Sequence, residues 1–230
     1  MTATLQTAMQ AVIQATETPG EGGPLGIARP VVAVSRDHGS GGDEIARKLA
    51  ERLGVPCYDQ ELVTHVAARL ETDATVARMI DESVGKARDM WLTGLVTGRD
   101  LGLGTTKRHL VNVILSLAKA GGVLVGRGSH VVLSSGAALR VRITGSPEVC
   151  ARRLAKAEGL TPDAALKQVK DINHNRGKFV WDLFHVRTSE ASAFDLVLNT
   201  DRLNDWESLV DTLVAATQAI QTAQGGQGGH

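Results

Sequence analysis

The residues best suited to chemistry form one glycine-rich segment that follows a short β-branched run at residues 31–34. In order, the segment contains His38, Gly39, Ser40, Gly41, Gly42, Asp43 and Glu44. Glycines allow successive backbone N–H groups to converge on one point, and a helix that begins beside them adds free donors and the positive end of its dipole. The segment therefore favours a phosphate-binding loop, although it also fits a tight strand-to-helix connection that binds nothing.

The loop departs from both common phosphate-binding patterns. When Gly41 is aligned with the second glycine of G-x-x-x-x-G-K-[ST], the first glycine falls at Ser35 or Arg36. Gly42 then stands in place of the lysine, and Asp43 in place of the hydroxyl that binds magnesium. The dinucleotide pattern G-x-G-x-x-G is matched at its first two glycines only. The usual point charge on the transferred phosphate is therefore missing.

Arg127 is the second candidate for a phosphate contact. It stands between Gly126 and Gly128, directly after the apolar run 123–125. Packing gives little reason for an arginine at the end of a buried strand, whereas a guanidinium can bind a phosphate through two parallel hydrogen bonds. The flanking glycines permit close approach, so the sequence predicts that Arg127 contacts a ligand.

Asp59 follows residues 55–58, a second predicted strand. The carboxyl ends of parallel strands form the edge at which open α/β sheets bind ligands. Asp59 can also cap the helix that starts near Leu62. The two roles do not exclude each other, and the sequence leaves both open.

Two cationic regions allow a structural and a functional explanation. The first is a glycine-studded segment that contains Gly94, Gly98, Arg99, Gly102, Gly104, Lys107 and Arg108. It is either a solvated loop or a mobile segment that closes over a substrate. The second is the end of a predicted helix, residues 170–178, which includes Arg176. Solvation and the helix dipole explain charges there without a ligand.

A parallel sheet is the element that must position these residues. Strands are predicted at 31–34, 55–58, 123–125, 139–143 and 194–198, and helices are predicted at 45–53, 61–70, 75–88, 110–120, 161–176 and 206–220. Pro147 is placed to start a further helix after the fourth strand. Strands that alternate with helices predict an α/β fold with right-handed crossovers.

The termini are expected to lie outside this core. Residues 1–28 are predicted to be a flexible extension, because helix-prone residues lead into a linker rich in glycine and proline. Residues 221–230 are predicted to be a disordered tail. The domain is expected to span residues 29–220, with a helical insertion at 60–120 and a lid region at 160–190.

Composition limits the function classes. Lys plus Arg equals Asp plus Glu at 25 each and aromatic residues are 3%, which disfavours nucleic acid as a partner. Cys57 and Cys150 lack metal-ligand or C-x-x-C spacing, so they are predicted to be buried thiols of a reducing compartment. No apolar run approaches the 18 residues or so of a membrane span. A cytoplasmic protein without membrane contact is expected.

Several short motifs, taken in order and with their spacing, carry a family resemblance. They are Ser35-Arg36-x-x-Gly39-Ser40-Gly41-Gly42, Leu49-Ala50-Glu51-Arg52-Leu53-Gly54, Tyr58-Asp59, Val125-Gly126-Arg127-Gly128 and Asn199-Thr200. From about Val31 to Val214 the chain resembles the cytidylate kinase-like family, a divergent branch of P-loop nucleoside monophosphate kinases. The resemblance implies a three-layer α/β/α P-loop kinase fold with a five-stranded parallel sheet, a helical insertion that binds the monophosphate, and a lid.

The resemblance also implies roles for particular residues. The loop from His38 to Glu44 would bind the phosphates of ATP, the phosphoryl donor. Mg²⁺ would be the second cofactor, with no metal ligand assigned among the residues. Asp59 would begin the monophosphate-binding insertion, and Arg127 would hold the phosphate of the acceptor. Arg176 falls at the last arginine of the lid and would stabilise charge on the transferred phosphoryl group. Arg36 is a candidate to replace the missing lysine.

The departures from the family leave two functions open. Gly128 and Asn173 stand where cytidylate kinases have aspartates, and the loop lysine is glycine. A nucleotide kinase that transfers the γ-phosphoryl of ATP to CMP, dCMP or another small acceptor is favoured by Arg127 and Arg176. A catalytically degenerate nucleotide-binding regulatory protein is favoured by the absent lysine and by Asp43.

Overall fold

A computed structural model describes residues 3–17, 29–95, 105–134 and 138–225. Within them, one five-stranded sheet contains β1 (Val31–Arg36), β2 (Cys57–Tyr58), β3 (Gly122–Val125), β4 (Leu139–Thr144) and β5 (Leu196–Asn199). All its neighbouring strands are parallel, in the order β2-β3-β1-β4-β5. The predicted five-stranded parallel sheet is therefore confirmed, although β2 and β5 each begin two residues later than expected.

Helices connect the strands and cover both faces of the sheet. They are α1 (Leu5–Glu17), α2 (Gly42–Leu53), α3 (Gln60–Thr72), α4 (Ala74–Leu95), α5 (Thr105–Ala120), α6 (Ser129–Val132), α7 (Pro147–Glu158), α8 (Pro162–Phe184) and α9 (Trp206–Gly225). A 3₁₀ turn, Ala191–Ala193, precedes β5. None of the described helices is long and apolar enough to cross a membrane.

Two apolar cores produce the three layers. Along β1, Val32 and Val34 pack with α2 and α9 on one face, whereas Val31 and Ala33 join α1, α3, α4 and α5 on the other. Alternate residues of a strand point to opposite faces, so both faces of β1 must be apolar. The predicted α/β/α arrangement is confirmed.

Helix α1 belongs to the packed core, which differs from the expectation of a flexible extension. Its Ala8 and Val12 are fully buried with residues of α3, α4 and α5. The Ala3 N–H donates to the Cys57 carbonyl on edge strand β2 at 3.1 Å. The apolar face of α1 packs on a surface formed by α3, α4 and α5, which the sequence pattern of α1 alone did not identify. The predicted linker after it falls mainly at 18–28, outside the described residues.

Val12→Asp is expected to lower the free energy of unfolding by about 3 kcal/mol, because the charge would stand unpaired in an apolar core. The matched control is Gln10→Asp, which places the same charge on the exposed face of α1 and should change stability by less than about 0.5 kcal/mol. Urea unfolding followed by circular dichroism measures both. Equal effects of the two substitutions would contradict the packing of α1.

Helices α8 and α9 are longer than predicted. Helix α8 continues past Arg176 to Phe184, where His185 ends it in the left-handed conformation at φ 55°. Gly177 does not break the helix. Helix α9 runs to Gly225, so residues 221–225 are helical and not part of a disordered tail, and 226–230 lie outside the described residues.

The predicted insertion at 60–120 consists of α3, α4 and α5. Most of its glycine-studded segment, at 96–104, lies outside the described residues.

Cys57 and Cys150 are buried free thiols, as predicted, and burial raises the pKa of each to about 11.

Candidate active site

The glycine loop lies between the end of β1 and the first turn of α2. Gly39 and Gly41 have φ values of 77° and 80°, a region in which L side chains are strained. A Cβ at Gly39 would lie 2.6 Å from the Cys150 carbonyl oxygen, and one at Gly41 would lie 2.6 Å from the Trp206 ring. The backbone conformation and the close packing both require glycine at these two positions. Gly39 and Gly41 are therefore needed for the fold, whether or not the loop binds a phosphate.

Hydrogen bonds of the Ser40 side chain hold the loop in its conformation. The Ser40 hydroxyl donates to the Asp37 carbonyl at 2.8 Å and lies 3.3 Å from the Ile143 carbonyl. The Gly42 N–H points to Ser40 Oγ at 3.4 Å. Helix geometry leaves the first N–H groups of α2 without intrahelical acceptors, and they face the loop. A glycine loop that leads into a helix N-terminus is an arrangement that suits an anion, and phosphate binding by this loop stays a prediction.

The side chain of Arg36 limits which residue fits at Gly42 and forms an ion pair with Asp43. A Cβ at Gly42 would lie 2.5 Å from the Arg36 Cβ, so the Arg36 side chain occupies the space in which a loop lysine would begin. The buried Arg36 guanidinium donates from Nε to Asp43 Oδ1 at 2.8 Å, and Nη1 lies 3.4 Å from Gln60 Oε1. An arginine–carboxylate pair therefore stands where the pattern has lysine and a hydroxyl.

Arg127 has a strained backbone. Its φ is 54°, and its neighbours Gly126 and Gly128 have φ values of 79° and 72°. Strain of this kind in a non-glycine residue persists only where the surrounding structure imposes it, and it concentrates at functional sites. The guanidinium lies over the Phe179 ring, 4.5 Å from its centroid, and Nε donates to the Gln60 carbonyl at 3.3 Å.

Arg176 reaches the same place from α8. Its Nη1 donates to the Arg36 carbonyl at 3.3 Å, and its buried Nε has no hydrogen-bond partner among the described residues. Burial, together with the charge of Arg36, lowers the pKa of Arg176 to about 10. The group stays cationic at neutral pH, in a position that a bound anion would stabilise.

Arg142 is a site residue that sequence reasoning missed. It lies on β4, donates from Nη1 to Ser35 Oγ at 2.9 Å and from Nη2 to Asp37 Oδ1 at 2.5 Å. The Thr144 hydroxyl binds the other oxygen of Asp37 at 2.5 Å. Its residue type is unusual within the predicted strand 139–143, because interior strands of parallel sheets are normally apolar on both faces. Its contact with Ser35 depends on the register of β4 against β1.

His130 is a second residue that sequence reasoning did not assign to the site. Both of its ring nitrogens are buried without a hydrogen-bond partner among the described residues, and the ring stacks on Phe194. Burial, with Arg142 and Arg140 nearby, lowers the pKa of His130 to about 3. His130 is therefore neutral at physiological pH.

One cavity of about 270 Å³, the arginine cavity, is lined by Arg36, Arg127, His130, Arg142 and Arg176, whereas none of the loop residues from His38 to Glu44 lines it. Of the described arginines, the four that line this cavity are Arg36, Arg127, Arg142 and Arg176. Arg36 and Arg142 are paired with carboxylates, whereas Arg127 and Arg176 make hydrogen bonds to backbone carbonyls. Such a concentration of guanidinium groups favours a polyanionic ligand.

A second, mainly apolar cavity of about 310 Å³ adjoins the first and shares Arg127 and Phe179 with it. It lies between α3, α5 and α8, within and beside the predicted insertion. Lys107, one of the predicted cations, lines it, whereas Arg99 lies outside the described residues. An apolar cavity that shares an arginine with a cationic cavity suits a ligand with an apolar organic part and an anionic part.

Asp59 caps α3. The Leu62 N–H donates to Asp59 Oδ1 at 2.8 Å. The residue that lines the arginine cavity is its neighbour Gln60, and a ligand contact by Asp59 stays a prediction. Among the other predicted residues, the His38 N–H donates to Asn173 of α8, and Asp43 binds Arg36.

Arg176→Met is expected to stabilise the ligand-free protein and to weaken anion binding, because it removes a buried charge that lacks a full set of partners. The melting temperature should rise by about 2–4 °C, and pyrophosphate should stabilise the variant less than the wild-type protein. Scanning calorimetry measures both. Arg69→Met, at an exposed position of α3, is the control, and a lower melting temperature for Arg176→Met would contradict the expectation.

The sheet order, the glycine loop between β1 and α2, and the arginines above it define a P-loop kinase fold. More specifically, the chain belongs to the cytidylate kinase-like family, whose model matches residues 31–202. This confirms the resemblance drawn from the sequence motifs.

Individual relatives agree with the family match. The chain is 27% identical over 196 residues to a cytidylate kinase of Pyrobaculum calidifontis, covering 84% of this chain and 94% of the relative. It is 26% identical over 183 residues to a cytidylate kinase of Methanopyrus kandleri, covering 77% and 88%. A crystal structure of an uncharacterized protein from Eubacterium ventriosum has a TM-score of 0.64 at 21% identity and covers 83% of this chain and 99% of its own. The family relationships support a nucleotide kinase function.

Proposed function

We propose that the protein transfers the γ-phosphoryl group of ATP to a nucleoside monophosphate, with CMP and dCMP as the acceptors that its relatives suggest. The observation that carries this proposal is the arginine cavity beside the glycine loop, in which the buried Nε of Arg176 lacks a partner among the described residues. Phosphoryl transfer depends on positioning and on stabilising charge more than on covalent chemistry by the protein. Cations held in place around a small cavity fit that requirement.

Each part of the site has a place in this reaction. The loop from His38 to Glu44 binds the donor phosphates through its amides and the N-terminus of α2. Arg127 holds the acceptor phosphate at the boundary of the two cavities, with the organic part of the acceptor in the apolar one. Arg176 stabilises charge on the transferred group. Arg36 takes the part of the loop lysine, a role supported by its guanidinium's contact with Asp43 at the start of α2.

Asp43 fits a role beside the nucleotide's magnesium ion. Its carboxylate stands at the start of α2, is 55% exposed and binds Arg36 through one oxygen. Proteins usually hold Mg²⁺ with one or two carboxylates together with substrate phosphates and waters. When bound, Mg²⁺ neutralises charge on the phosphate oxygens.

A nucleotide-binding regulatory protein without catalysis is the second candidate. Two observations favour it: Asp43 is already paired with Arg36, and the His38 amide of the loop is already bonded to Asn173. Both contacts reduce the number of groups that are free to meet ATP.

ADP release separates the two candidates. The protein is incubated with ATP and Mg²⁺ and, in turn, CMP, dCMP, UMP, AMP or no acceptor, while ATP binding is measured by calorimetry. Acceptor-dependent ADP release, greatest with CMP or dCMP, is the expected result. ATP binding without ADP release on any acceptor would favour the regulatory protein, and absence of ATP binding would overturn both candidates.

A further inference from the structure

Phe179 and Arg127 stand together at the boundary between the arginine cavity and the apolar cavity. Both residues line both cavities. The Phe179 side chain is half-buried on α8, and the Arg127 guanidinium lies over its ring, 4.5 Å from the centroid. A ligand with an anionic group in one cavity and an apolar group in the other must therefore pass this pair of side chains.

Two contacts orient the Arg127 guanidinium. The Phe179 ring covers one of its faces, and its Nε donates to the Gln60 carbonyl at 3.3 Å. An arginine side chain has five N–H donors, and the other four belong to Nη1 and Nη2. Neither of these nitrogens is bonded to a described residue. Because neighbouring N–H groups of a guanidinium bind a phosphate through parallel hydrogen bonds, the Nη edge is the one left for an anion.

The contact with the ring is electrostatic as well as steric. A cation over the face of an aromatic ring is attracted by the ring quadrupole, and the attraction is stronger where water is excluded. Burial, together with the charge of Arg36, lowers the pKa of Arg127 from its usual value, so this guanidinium has lost part of its hydration. An aliphatic side chain at position 179 would fill much of the same space without this attraction.

We propose that Phe179 is a positioning residue for Arg127, and that its ring holds the guanidinium so that the Nη edge meets the phosphate of the acceptor. An arginine whose orientation is fixed by the protein loses less conformational freedom when it binds an anion. This inference rests on the proposed function, because that function assigns the acceptor phosphate to Arg127.

The first test measures acceptor binding by calorimetry and the KM values of acceptor and ATP by ADP release. The acceptor is CMP, or whichever of dCMP, UMP and AMP releases more ADP. Phe179→Leu should weaken acceptor binding and raise the acceptor KM about three- to tenfold, with the KM of ATP changed by less than about twofold. Phe179→Tyr keeps the ring face and should restore acceptor binding. A merely structural role of Phe179 predicts that both KM values change together.

Trp181→Leu is the matched control. Trp181 lies two residues further along α8 and lines neither of the two cavities. Its ring has an arginine contact of its own, with Arg187 at 5.2 Å. The substitution therefore removes an aromatic ring and a cation–π contact from the same helix, and acceptor affinity should stay within about twofold of wild type.

Fluorinated phenylalanines at position 179 test the electrostatic part of the contact alone. Fluorine withdraws electron density from the face of the ring and changes its shape little. Acceptor affinity should therefore fall stepwise from phenylalanine through monofluoro- to trifluorophenylalanine, because the ring quadrupole weakens in that order. Equal affinity across the series would overturn the proposed cation–π contact.

Kinetics in an Arg127→Ala background decide whether Phe179 acts through Arg127. There, Phe179→Leu should not lower kcat/KM for the acceptor any further, because the group that it positions is absent. An undiminished effect would mean that Phe179 meets the ligand itself, which overturns the positioning role. Unchanged acceptor binding by Phe179→Leu in the wild-type background would also overturn it and leave the proposed function intact. If wild type neither binds a nucleoside monophosphate nor releases ADP with one, the proposed function fails and the inference fails with it.

Discussion

Arg127→Gly is expected to abolish most phosphoryl transfer and to leave the fold more stable than Arg127→Ala does. The left-handed conformation costs an L residue about 1–2 kcal/mol, and glycine avoids this cost. Because Arg127 has a φ of 54°, the substitution should raise the free energy of unfolding by about 1 kcal/mol relative to alanine at the same position. Loss of one preorganised charge-stabilising group should lower kcat/KM by about 10²–10³-fold.

Arg127→Ala is the matched control for strain. Both substitutions remove the guanidinium and its contacts with Phe179 and Gln60, so these losses cancel in the comparison. The alanine keeps the strained backbone. Acceptor-dependent ADP release and urea unfolding are measured for each variant. Equal stability of the two variants would contradict the strain, and full activity of either would contradict the role of Arg127.

The strain and the charge at Arg127 have a common explanation. Arg127 lies in a left-handed turn directly after β3 and lines both cavities. Phe184 packs against Gly128, where a Cβ would lie 2.3 Å from the ring, and this contact holds the turn in place. Helix α8 thus supports the position of the arginine as well as covering it.

Features encoded within a few residues could be predicted from the sequence. The β-branched run of β1, the glycine loop and the periodic apolar face of α2 are local, and each signal is typical of its element. The glycines on either side of Arg127 likewise indicate an unusual backbone by residue type alone. Together with the order of elements, these signals were sufficient for the sheet and for the place of the loop.

Features that depend on distant partners could not be predicted in this way. Arg142 became a site residue because the β1–β4 register sets it beside Ser35. The contact between Asn173 and His38 depends on the path of α8 over the loop. Helix α1 has a modest amphipathic pattern, and its burial at Val12 depends on a surface built by α3, α4 and α5. Tertiary packing decides each of these outcomes, and no local pattern records it.

Gly42→Lys, which restores the lysine of the common loop pattern, is expected to damage the protein. A Cβ at position 42 would lie 2.5 Å from the Arg36 Cβ and 3.3 Å from the Ile143 Cβ. Relief of such a clash requires a backbone shift and should lower the free energy of unfolding by about 1–3 kcal/mol. The shift would also displace the loop amides, so ATP affinity should fall although a cation has been added.

A double-substitution cycle tests whether the side chain of Arg36 excludes a side chain at position 42. Arg36→Gly removes the clashing Cβ, so Gly42→Lys should cost less stability in that background, with a coupling energy of about 1 kcal/mol or more. Gly85→Ala is the control, because among the side chains that the structure describes a Cβ there meets only Arg88 Nη2, at 3.9 Å, and alanine favours the interior of α4. Additive effects of Arg36→Gly and Gly42→Lys, measured by urea unfolding, would contradict the steric dependence. A positive coupling would explain the missing lysine physically: the arginine at the end of β1 leaves room only for glycine at the start of α2.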